Sequence, residues 1–266
     1  MNATTAAARS TSPEPLLDAD ETAAFCITRE DAASDFVIVC DHAGALLPRS
    51  LGSLGLSANE LDGALASDVG AARVALLLGE RLDACVITQP YSRAVIDCDH
   101  APDAEAIPRH SEWETIAGNE RLTPGAIAAR VAQVHAPYHA AIERVLDQRQ
   151  RDRRRTILLS LASFAPEWRG EARRWHLDLR FGADARLARV ALKLLLRDER
   201  LVIGENEATQ LPDAAPYTLR EHGEGRSLAH LGIALRLDQV SDEAGQKNWA
   251  GRLASLLKQA GAALPA

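Results

Sequence analysis

Two spacings of apolar residues alternate along this chain. Short continuous runs read as buried strands, and longer segments with apolar positions three or four apart read as helices. The first strong run, Phe36-Val37-Ile38-Val39, passes through Cys40 into Asp41-His42-Ala43-Gly44. It predicts a strand over 35–41 that ends abruptly in a polar turn. Open α/β sheets collect ligands and catalytic groups at the carboxyl ends of such strands. An imidazole there is a candidate metal ligand or general base, with a satisfied loop histidine as the plain alternative. Further runs predict strands near 23–27, 84–88, 92–100, 156–161, 175–179, 201–203 and 230–235.

Between the strands lie helix signatures. Ser57-Ala58-Asn59-Glu60 is a capping box, and the helix it opens is predicted to run to about residue 82. Asp68 falls in the middle of that helix among apolar and small residues, so it either faces solvent or needs a buried partner. Thr123-Pro124 opens a second helix, to about residue 149. His135 and His139 share one of its faces; without the glutamate of a HExxH pair they read as packed or exposed histidines rather than zinc ligands. Asp184 caps a helix through about 196, and 242–261 forms a last helix with Trp249 and Leu253 on its apolar face. Strands alternating with crossover-length helices predict an α/β fold, a single domain with a mixed, largely parallel sheet and helices on both faces. Residues 1–22 read as a disordered tail and 23–266 as the folded domain. The polar stretch 101–122 reads as a lid or binding loop.

The 266 residues carry a net charge of -7, which argues against generic nucleic-acid binding. The run Arg149, Arg151, Arg153, Arg154, Arg155 reads as a solvated helix end. Four widely spaced cysteines with no CxxC read as free thiols in a reducing, cytoplasmic setting. No apolar run has the length of a membrane span, and 1–15 lacks the apolar stretch of a signal peptide. P-loop and dinucleotide fingerprints are absent. In the segment 92–100, Asp97 and Asp99 alternate with Ile96 and Cys98, as ligand groups or as a solvated edge, and Arg93 is a natural carboxylate fork.

Taken in order, six strings resemble the N-formylglutamate amidohydrolase family: Val39-Cys40-Asp41-His42-Ala43-Gly44, Asp68-Val69-Gly70-Ala71, Tyr91-Ser92-Arg93 with Val95-Ile96-Asp97, His135-Ala136-Pro137-Tyr138-His139, Arg174-Trp175-His176 and Gly204-Glu205-Asn206-Glu207. The resemblance extends over about 35–255. It implies a zinc-carboxypeptidase/phosphorylase-hydrolase-like layout and zinc-assisted hydrolysis of a linear N-formyl or N-acyl amide of an acidic amino acid. Zinc would lower the pKa of a bound water toward about 7 and polarise the amide carbonyl. By the same resemblance His42 and Asp68 stand at metal-ligand positions, Arg93, Asn206 and Arg236 at substrate-binding positions, and Asp97 at a supporting or catalytic one. The implied partner is a small amino acid derivative; the oligomeric state is left open.

The chain also departs from the family pattern. Where the family has a third ligand, His, and a catalytic Glu, this sequence has Ala162 and Ala234. A family His four residues before Asp68 is Ala64, and an Asn-Arg pair is Asp99-His100. Two readings follow. One is an amidohydrolase with an altered, weakened or empty zinc site, in which His100, Asp99, His176 or His222 substitutes. The other is an inactive paralogue that binds an acidic amino acid derivative or acts as a scaffold.

Overall fold

The computed structural model describes residues 15–58, 60, 68–110, 115–207 and 216–265. Its strands are β1 (Cys26–Thr28), β2 (Phe36–Cys40), β3 (Cys85–Thr88), β4 (Ile157–Phe164), β5 (Glu167–Trp168), β6 (Glu171–Ala172), β7 (Leu177–Arg180), β8 (Ile203–Glu205) and β9 (Ala229–Arg236). Among the described residues seven of them form one sheet in the order β1-β3-β2-β4-β9-β7-β8, while β5 and β6 make a small hairpin beyond the end of β4. The central strands β3, β2, β4 and β9 are parallel; β1 and β7 pair antiparallel with β3 and β9. The fold is therefore the expected single α/β domain with a mixed, mostly parallel sheet.

Helices α1 (Val69–Leu82), α4 (Arg186–Leu195) and α5 (Glu243–Ala263) cover one face, against Phe36, Ile38, Leu159 and Leu231. Helices α2 (Pro124–Arg130) and α3 (Ala136–Arg151), joined through the wider turn Val131–His135, cover the other, against Val37, Val39, Ile87 and Leu158. Coverage on both sides is why β2 is apolar at every position instead of alternating. Capping follows the sequence: Thr123 accepts from the Ala126 amide and Asp242 from the Gly245 amide. No described helix is long and apolar enough to cross a membrane.

Three expectations change. The segment 92–100 is not a strand but an irregular loop with Ala94, Val95, Ile96 and Cys98 fully buried. Its apolar run imitates a buried strand, yet its carbonyls are served by side chains. Asn119 Nδ2 donates to the Ala94 carbonyl at 2.8 Å, and Arg130 Nη1 to the Val95 carbonyl at 2.9 Å. Arg130 is itself buried, which pulls its pKa down to about 10.

Second, the helix predicted from Ser57 to residue 82 is interrupted at Asp68. That residue has φ −106° and ψ 46° and sits just before α1, not within a helix. The capping box does form, with the Ser57 amide donating to Glu60 at 2.7 Å; the positions after it, Ala64 included, lie outside the described residues. Third, part of the predicted tail is packed. Leu16 is buried, the Leu16 and Leu17 amides donate to Gln133 Oε1, and Tyr91 donates its hydroxyl to the Thr22 carbonyl at 2.6 Å. Residues 1–14 lie outside the described residues.

One glycine decides how the site is framed. A Cβ on Gly44 would lie 2.0 Å from the Pro90 carbonyl oxygen, so only glycine lets the turn after β2 seat on the turn after β3. The Leu46 amide then donates to Pro90, and the Ser92 amide to Leu46. This lacing fixes the backbone that carries Arg93.

Candidate functional site

At the carboxyl end of β2 the chain places His42 between two carboxylates. Its Nε2 lies 2.6 Å from Asp97 Oδ1, and its Nδ1 lies 3.4 Å from Asp68 Oδ2. Arg93 Nη2 donates to Asp68 Oδ1 at 2.6 Å, and Ser163 Oγ donates to the same oxygen at 2.8 Å. Burial and the Arg93 charge oppose protonation of His42, but Asp97 and Asp68 outweigh them and raise its pKa to about 10. Burial likewise works against ionisation of Asp68 and Asp97. The cations win there too: Arg93, then His42, holds Asp68 below the usual range, and His42, then Arg93, holds Asp97 well below it. Four residues from the turn after β2, the start of α1 and the 91–100 loop thus form one ion chain, Arg93–Asp68–His42–Asp97, buried at its centre and partly exposed at both ends.

Beside it Asp41 acts as a hub. It accepts hydroxyl hydrogen bonds from Tyr138 at 2.9 Å, Ser160 at 3.1 Å and Thr218 at 2.7 Å. These donors come from α3, β4 and the segment before β9, so one carboxylate ties three elements to the strand end that carries His42. Asp99 lies next in the loop and accepts from the Thr218 amide, with Arg180 Nη2 3.5 Å away. Burial and then the Asp41 charge push the Asp99 pKa up to about 7, against the pull of Arg180.

A second histidine group sits deeper, under the same loop. His139 Nε2 donates to the Cys98 carbonyl at 2.9 Å, so its Nδ1 accepts from His222 Nε2 at 2.8 Å. His135 donates to the His100 carbonyl and lies against His139 with ring centres 4.2 Å apart and planes tilted by 30°. Burial, then the neighbouring rings, pulls the pKa of both His139 and His222 down to about 3. Of the two states expected of His135 and His139, packed or exposed, the structure shows the packed one.

The sequence-derived positions divide cleanly. His42, Asp68, Arg93 and Asp97 converge. Asn206 does not join them: at φ 60° it pairs both ends of its amide with the backbone of Phe181 at 3.0 Å, closing β8 onto β7. Arg236 forks onto Asp238 and donates to the Arg173 carbonyl. His176 accepts from the Val202 amide, and the side chain of His100 is exposed. Ala162 and Ala234 are lateral partners on β4 and β9 and pack with Phe164 and Trp175 in a small apolar patch. The role of Asp41 escaped the sequence reading, and so did Arg180, which ends a strand and looks like a solvated terminus.

Whether these residues suit zinc can be tested on the donors. A catalytic zinc takes three protein ligands and keeps a fourth position open. His42 Nδ1 and Asp68 Oδ2 face each other at 3.4 Å, and Asp68 Oδ2 has no hydrogen bond, so these two atoms could share an ion. Ala162, where the resemblance implies a third ligand, carries only a methyl group. Among the described residues no group of three His, Cys, Asp or Glu side chains is disposed to hold a metal. Among the described residues the donor set does not fit a catalytic zinc.

Comparison with known proteins places this geometry in context. The model of the N-formylglutamate amidohydrolase family matches residues 34–240. No curated protein matches in sequence. Among solved structures, gene product Atu2144 from Agrobacterium tumefaciens is 31% identical with a TM-score of 0.89, over 93% of this chain and 98% of that one. An N-formylglutamate amidohydrolase from Ralstonia eutropha JMP134 shares the fold at 16% identity and a TM-score of 0.68, over 91% of this chain and 98% of its own. The family match takes in every strand from β2 to β9, and the chain belongs to the N-formylglutamate amidohydrolase family.

Proposed function

We propose that this chain binds an acidic amino acid derivative in the family pocket without zinc-dependent hydrolysis. The observation that carries the reading is the paired loss at Ala162 and Ala234. They sit side by side in register, Ala162 opposite Ala234, where the family resemblance puts a metal ligand and a proton-transfer group. With a third ligand and a general base both replaced by methyls, the activated water has neither its ion nor its proton acceptor. Loss of the base alone costs on the order of 10²–10⁴ in rate. What remains suits binding: Arg93, whose planar fork matches a carboxylate, is held by Asp68 at the end of the sheet, and the ring of His42 lies between two carboxylates.

The test is elemental analysis for zinc on protein purified without chelator, with thermal shift and hydrolysis assays on N-formyl- and N-acetyl-L-glutamate. Binding without turnover raises the melting temperature with no product formed. A ligand at 100 times its Kd adds about 2.7 kcal/mol. Near-stoichiometric zinc together with turnover overturns the reading. It would favour instead an altered-site amidohydrolase, for which the unbonded Asp68 Oδ2 beside His42 Nδ1 is the specific observation. Ala162→His with Ala234→Glu should confer zinc binding; a folded double variant that takes up no metal would put the site elsewhere.

A further inference from the structure

Arg180 is placed like a binding residue and is committed to nothing strong. It ends β7 on the same sheet face as Asp41 and Ala162, and the absence of a side chain at Gly232 lets it cross β9: a Cβ there would lie 2.9 Å from Arg180 Cβ. Its side chain is mostly buried, at 18% exposure, and reaches Asp99 by one contact of 3.5 Å from Nη2. Its Nε is buried with no hydrogen-bond partner. Nε and Nη2 form the side edge of a guanidinium, the edge that grips a carboxylate with two parallel hydrogen bonds. At Arg236 that edge is used fully, with Nε and Nη2 on the two oxygens of Asp238 at 2.6 and 3.1 Å, whereas the Nε atoms of Arg93 and Arg130 are, like that of Arg180, buried without a partner. A buried donor without a partner is costly, commonly about 1–3 kcal/mol, unless a ligand satisfies it.

Resting on the binding reading above, we propose that Arg180 is the second anion-recognising residue of the pocket and selects ligands carrying a second carboxylate. Arg93 on the 91–100 loop is the first cation; Arg180, from the opposite side of the Ala162–Ala234 pair, is the second. On binding, the Nε–Nη2 edge turns from its single long contact with Asp99 to the ligand, and Asp99 keeps the hydrogen bond from the Thr218 amide. The ligand class is then an N-acylated dicarboxylic amino acid, in preference to its amide or to an apolar analogue.

Calorimetry with N-acetyl-L-glutamate and N-acetyl-L-glutamine tests this on the intact chain and on Arg180→Gln. The expected result is a wild-type preference for the diacid of about tenfold or more, the worth of one charge-assisted fork. In Arg180→Gln that preference collapses while the affinity for N-acetyl-L-glutamine stays within about threefold. Equal weakening of both ligands, or weakening of neither, overturns the assignment and leaves the pocket reading intact. Wild-type protein that binds neither overturns the pocket reading and this assignment together. If Arg180→Gln fails to fold, Arg180→Lys decides, because it keeps the charge and loses the planar edge: reduced discrimination is expected, and full discrimination overturns the role of the fork.

Discussion

The two histidine environments, one at the end of β2 and one beneath the 91–100 loop, carry the same side chain to opposite protonation states. His42 and His139 are both buried. His42 is flanked by Asp97 and Asp68 and is driven up to about 10; His139, flanked by His135 and His222, is driven down to about 3. Burial disfavours the cation in each case. The neighbours decide whether that tendency is overcome. A histidine's depth therefore says little about its charge until the atoms facing both ring nitrogens are known.

The largest expected effect comes from breaking the charged side of this contrast. Asp68→Asn removes the carboxylate shared by Arg93 and His42 and leaves both cations under-compensated. A loss of about 3–5 kcal/mol in urea unfolding is expected. A loss under about 1 kcal/mol would mean the four-residue ion chain is not a stabilising unit.

The next effects are pH limbs of opposite sign. The raised pKa of His42 means the folded state holds a proton that the unfolded state releases. Its contribution is complete below about 6.5 and fades as the pH climbs toward 10. His139 and His222 have depressed pKa values, so the unfolded state takes up their protons first and stability declines as the pH falls from about 6.5 toward 3. A tenfold difference in proton affinity between the folded and unfolded chain is worth about 1.4 kcal/mol. Against wild type, His42→Gln should flatten the alkaline limb and His139→Leu the acid limb in melting temperature measured across pH. If each substitution flattens the other limb, the two environments have been assigned the wrong way round.

The smallest effect is the exposed reference. Lys247 and Glu243 pair at 2.6 Å on the surface of α5, with side chains 55% and 71% exposed. Lys247→Met should cost about 0.3–0.5 kcal/mol and less in high salt. A cost rivalling that of Asp68→Asn would show that exposure does not separate the two ion pairs.

How much of this was legible in the sequence depends on where each residue's partners lie. β2 was legible because all five of its positions are buried, which leaves an unbroken apolar run. The strand expected over 92–100 is a loop because burial alone sets the apolar pattern. Whether a buried backbone pairs with a strand or with Asn119 and Arg130 leaves no local trace. The cluster was half legible: His42, Asp68, Arg93 and Asp97 stand in strings that resemble the family. Asp41 stands in one of them too, yet its role stayed hidden, since its donors lie 97, 119 and 177 residues away. Arg180 was missed for a related reason: only the fold brings Asp99 across to meet it.

The packed segment before β1 has a practical consequence for anyone handling the protein. Thr22 is latched by Tyr91, which stands two residues ahead of Arg93, and Leu16 is held by Gln133 in the turn between α2 and α3. A protease nick or a trimmed recombinant chain beginning at Ala23 would remove both latches while leaving every strand intact. Such a preparation could look sound by circular dichroism and still report the wrong affinity, so the integrity of its first two dozen residues is best verified by mass spectrometry before any ligand is weighed out.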